Sequence, residues 1–102
     1  MASTRQVKKD IDFLVSEVIA DSYLAIYFHP EQRDGIISVI QEAVNLRNNL
    51  FERVNNPDEK NNASLVKKHF RHVREEMFTT VEELFSKLST LTQKKAASKK
   101  EA

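Results

Sequence analysis

Residues 66–91, VKKHFRHVREEMFTTVEELFSKLSTL, decide the fold. Val66, Phe70, Val73, Met77, Val81, Leu84, Leu88 and Leu91 recur at steps of three and four, the period that lines up side chains on one face of an α-helix. At 3.6 residues per turn the stripe runs for about seven turns with no Gly or Pro inside it. A helix that long and that one-sided needs other elements to cover it.

Working outward, Asn56 to Ser64 (NPDEKNNAS) is the densest cluster of turn formers and reads as the interior loop, with Asn62 or Ser64 available to cap the helix that follows. Upstream, Ile36, Ile40, Ala43, Leu50 and Val54, flanked by Ile37, Val44 and Phe51, trace a second amphipathic helix. Asn55-Asn56-Pro57 ends it, because Asn tolerates the left-handed cap conformation and Pro cannot continue a helix. Pro30 disfavours helical geometry at His29 yet suits a first helical turn, so His29-Pro30 is a corner. Before it, Val7, Ile11, Leu14, Val18 and Ala25 form a third stripe, widened by Val15, Ile19 and Ile26. Ser3-Thr4-Arg5-Gln6 opens that segment with the spacing of a capping box. The expected architecture is all-α: an up-down-up bundle of three long helices, about 4–28, 31–55 and 64–92.

Composition agrees. In 102 residues there are one Gly and two Pro, too few for the turns a sheet requires, and 40% of the residues are apolar, too many for a disordered chain. Residues 1–93 are read as a single helical bundle domain. Residues 94–102 (KKAASKKEA) hold four Lys against one Glu and read as a disordered Lys-rich tail of charge +3, leaving 12 basic and 14 acidic residues, −2, in the remainder. No Cys is present, which removes disulfides and thiolate chemistry. Asp10, Asp12, Ser16, Glu17 and Asp21 interrupt the early apolar residues, so neither a secretion signal nor a membrane span is read, and the expected location is cytoplasmic.

Few residues suggest chemistry. His69, His72 and Glu76 fall at i, i+3 and i+7 and can share a helix edge, but they lack the Glu-x-x-His pattern of bundle metal sites and read as solvated flank. Tyr23, Tyr27 and His29 gather at the first corner as an end cover with polar tips. No nucleophile triad, phosphate-cradling loop or paired carboxylates stand out, so no catalytic residue, metal or cofactor is expected. Arg47 lies within the apolar sector of its helix, where it either snorkels outward or pairs in the interior with Asp12 or Glu76.

The run Arg47-Asn48-Asn49-Leu50-Phe51-Glu52 resembles the Arg-Asn-x-x-x-His motif of the helical higher-eukaryote and prokaryote nucleotide-binding domains, many of which are ribonucleases. Glu52 stands where those enzymes need histidine, and no catalytic role is carried over.

The functional expectation is a non-catalytic helical interaction module that self-associates or binds another helical protein. Phe13, Ala20, Leu24 and Tyr27 gather about 180° from the main stripe of the first helix, giving it a second apolar face. Contiguous apolar patches of this kind are uncommon on monomers. The alternative is a nucleic-acid-associated protein whose Lys94, Lys95, Lys99 and Lys100 contact phosphates; it lacks the arginines and interleaved aromatics such binding favours.

Overall fold

The three stripes fold into three helices: α1 (Thr4–Phe28), α2 (Arg33–Asn55) and α3 (Ala63–Glu101). A computed structural model describes residues 4–56 and 62–101, with side chains through Thr92. The expected capping box at Ser3 and the Lys-rich tail of 94–102 therefore fall outside the described side chains. Among the described residues there is no strand.

Cross-helix pairs define the topology. Lys8 lies over the Phe51 ring and Arg47 bonds Asp12, so numbers rise on α1 as they fall on α2, and those helices run antiparallel. Arg53 pairs with Glu76 and Glu42 with Lys87, which makes α2 and α3 antiparallel as well. Asp10 meets Arg74, and one groove is lined by Asp21, Leu24 and Phe28 of α1 together with Phe85, Leu88 and Thr92 of α3. Asp10 and Arg74 differ by 64 in number and the groove joins the later parts of both helices, so α1 and α3 run parallel at an offset of about 64. The bundle is up-down-up.

The connections follow from local chemistry. His29 donates its amide to the Ala25 carbonyl as the last bond of α1, and Pro30–Gln32 form a short 3₁₀ turn with the ring at its first position. The end of α2 differs from the expected left-handed cap: Asn56 has φ −127° and directs both its amide and its side-chain Nδ2 to the Glu52 carbonyl, at 3.1 and 3.0 Å. A side-chain donor there satisfies a carbonyl that a left-handed turn would otherwise have bonded. At the start of α3, Asn62 Oδ1 accepts from the Leu65 amide at 3.2 Å and caps the helix.

Packing selects one face of each helix. Val7, Ile11, Val15 and Val18 of α1 are buried against Val39, Ala43 and Leu50 of α2 and Val73, Met77 and Leu84 of α3. Each large apolar side chain removed from water in this way contributes roughly 1.5–3 kcal/mol before conformational entropy is counted. Ala25, Ile36 and Leu88 form a smaller cluster at the corner end. Ser22 is the one buried polar residue among those described, and its hydroxyl donates to the Val18 carbonyl at 2.7 Å, so the core contains no unsatisfied side-chain polar atom in that set.

Gly35 of α2 lies directly against Leu91 of α3. A Cβ placed on it would lie 2.8 Å from Leu91 Cδ2. Gly35→Leu is therefore expected to destabilise the domain by about 1–3 kcal/mol through overpacking, and Leu91→Ala in the same chain should recover part of the loss. Urea titrations of the single and double variants check this, and purely additive losses would show that the contact is not the cause.

Candidate interaction surface

α1 has two apolar faces, and the bundle covers one. Its inward residues are buried, whereas Phe13, Leu24 and Tyr27 are 65%, 57% and 79% exposed and Ala20 is exposed between them. Tyr23 and Phe28 widen the outer stripe at its upper end, and Tyr27 and Phe28 meet edge to face with ring centroids 5.2 Å apart.

Three seams separate the helices, and their outer edges differ in chemistry. Along the α1–α2 seam, Arg47 Nε donates to Asp12 Oδ1 at 2.7 Å while its guanidinium covers the Phe51 ring at 4.2 Å. Along the α2–α3 seam, Arg53 pairs with Glu76, Lys87 Nζ donates to both Glu42 oxygens at 2.9 and 3.0 Å, and His69 Nε2 lies 2.7 Å from the Arg53 carbonyl. Among the described residues the α1–α3 seam has one ion pair, Asp10 with Arg74 at 2.7 Å, at its lower end. Above that pair the edge turns aromatic. Phe78 and Phe28 are 52% and 68% exposed, and Leu24, Phe28, Phe85 and Leu88, with Asp21, His29, Ser89 and Thr92 at the margins, line an open groove between the two helices. Polar residues close two seams, while aromatic residues flank the third and continue into the outer stripe of α1.

Phe13, Ala20, Leu24 and Tyr27 share the outer face of α1 and touch solvent. Arg47 and Asp12 come together, but at the bundle rim, each side chain roughly half exposed, so the interior ion pair is corrected to a surface one. Glu76 does not join them, because it faces α2 and pairs with Arg53. The physical reason is a rotation of α2: Val39 and Leu46 turn inward, which carries Arg47 to the edge.

His69, His72 and Glu76 diverge, towards the Arg53 carbonyl, Glu75 and Arg53 respectively, and the described residues contain no group of three or more metal-ligating side chains. His29 sits 3.5 Å from Glu31 at the groove's upper end. Phe28, Phe78 and Phe85 were not singled out from sequence. Their signal is the seven-residue step from Phe78 to Phe85 beside the main stripe of α3, which becomes meaningful only once α1 is known to lie on that side.

An exposed pair such as Arg47–Asp12 contributes at most about 1 kcal/mol, and an exposed cation over a ring adds a similar amount. Arg47→Ala is accordingly expected to cost about 1 kcal/mol, and Arg47→Met less, since its stem still covers Phe51. Chemical denaturation distinguishes them; a loss above about 3 kcal/mol would mean that Asp12 becomes a buried, unpaired charge.

No protein family, curated protein or solved structure matches the chain. None of the described helices is long and apolar enough to cross a membrane.

Proposed function

We propose that this chain is a non-catalytic helical interaction module that self-associates through the outer face of α1. The observation that carries the reading is the exposure of Phe13, Leu24 and Tyr27 at helical spacing on a helix whose opposite face is already buried. Water contact over such a stripe is unfavourable, by roughly 25 cal/mol for each Å² of apolar surface, and a second helical surface removes it. Ala20, small and central in the stripe, lets another helix approach closely.

The test is sedimentation of the wild type beside a Phe13→Glu, Leu24→Glu double variant. The wild type should be dimeric at micromolar concentration, and the variant monomeric with unchanged helical content, because both positions lie outside the core. A wild type that remains monomeric at high micromolar concentration would defeat the proposal. A variant that unfolds instead of dissociating would show that the stripe is needed by the monomer.

A further inference from the structure

The aromatic residues of α1 and α3 are arranged symmetrically about one level of the bundle. Because α1 and α3 are parallel and offset by 64, each α3 residue takes the level of the α1 residue 64 positions earlier. Phe13 and Phe78 then occupy levels 13 and 14, Ala20 and Phe85 levels 20 and 21, and Tyr27 and Phe28 levels 27 and 28. Successive layers are about two turns, or roughly 10 Å, apart. Rotation by 180° about the Ala20–Phe85 level exchanges the lower and upper aromatic layers and returns the middle one to itself.

We infer that the occupant of this face is a second copy of the chain, docked antiparallel about a two-fold axis at the level of Ala20 and Phe85, so that α1 and α3 of both copies form a four-helix layer. The inference rests on the self-association proposed above and specifies its geometry. In this arrangement Phe13 and Phe78 of one copy meet Tyr27 and Phe28 of the other, and the two Phe85 rings approach beside the two Ala20 residues. An isologous contact of this kind needs a self-complementary patch, and the layer spacing supplies it.

On α1, Arg5 and Lys9 are exposed below the stripe, whereas Glu17 and Asp21 are exposed near its middle and form no ion pair among the described residues. From Phe13 to Phe28 the helix has no Lys or Arg at all. In the antiparallel pair Lys9 falls beyond the end of the other copy's α1, and Glu17 and Asp21 of both copies gather near the two-fold level, so the contact should tighten as added salt screens them. The area is also adequate. Phe13, Tyr27, Phe28 and Phe78 each leave more than half their surface exposed, which at 150–250 Å² per buried aromatic side chain gives roughly 400–650 Å² per copy, a large part of the ~800 Å² per partner of a standard interface.

The experiment uses the absence of native Cys. A nitroxide on Lys9→Cys should give an inter-copy distance of about 35 Å by pulsed EPR, from 23 residues of axial rise at 1.5 Å each. A parallel dimer would bring the two labels within about 20 Å, since neighbouring helix axes lie about 10 Å apart. Ala20→Cys should cross-link to itself on mild oxidation. Phe78→Glu, with helicity checked, should raise the dissociation constant about tenfold or more. Sedimentation as a monomer overturns self-association and this geometry together. A dimer with the short Lys9 distance overturns the geometry alone, as does one that fails to cross-link at Ala20 and ignores Phe78→Glu.

Discussion

Met77→Asp should leave the chain unfolded, with no cooperative thermal transition by circular dichroism. Met77 is completely buried in the middle of α3, in the cluster that includes Ile11, Val15, Leu50 and Val73. The only polar residue among the described buried ones is Ser22, whose hydroxyl is already committed to the Val18 carbonyl, so no cation is present to pair with the new carboxylate. An unpaired buried charge costs about 3–5 kcal/mol or more, and the cavity left by the thioether adds to it. Domains of this size have only about 5–15 kcal/mol in total. Leu84→Asp, two turns further along the same stripe, should behave alike. A Met77→Asp chain that melts like the wild type would remove α3 from the centre of the core.

The second large effect separates two valines of α2. Val39→Asp should destabilise the domain by about 3 kcal/mol or more, whereas Val44→Asp should change it by less than about 1 kcal/mol. Val39 is 2% exposed and packs in the main cluster; Val44 is 40% exposed on the side turned away from it. Denaturant midpoints of the two variants make the comparison without reference to absolute stability. Equal losses would mean that α2 sits rotated from the position described.

That pair of valines shows where sequence reading stops. The α2 stripe was traced through Ile40 with Val44 beside it, whereas the buried set is Ile36, Val39, Ala43, Leu50 and Val54. Both sets satisfy helical spacing, because an apolar sector more than 100° wide leaves the exact direction of the core undetermined by several tens of degrees. The same rotation explains Arg47, which is inside the sector on the wheel and at the rim in the bundle. On α1, Ser22 is buried although its type gave no sign of it, because a serine hydroxyl can return to a carbonyl four residues back and then tolerate an apolar setting.

The outer face divides in the same manner. Phe13, Ala20, Leu24 and Tyr27 were legible from one helix alone, since their angular distance from the main stripe depends only on the helical repeat. Phe28, Phe78 and Phe85 were not, because their membership depends on which side of α1 carries α3 and at what offset.

The number of helices, their approximate limits, the corner at His29-Pro30 and the second apolar face of α1 all follow from a period of 3.6 and the backbone restrictions of Pro. Tertiary structure alone decided the rotation of α2, the partners of Arg47 and Glu76, and the joining of α1 and α3 into one aromatic surface. Those depend on how three wide stripes settle against one another, a choice made by side-chain volumes across helices that periodicity along a single helix cannot register.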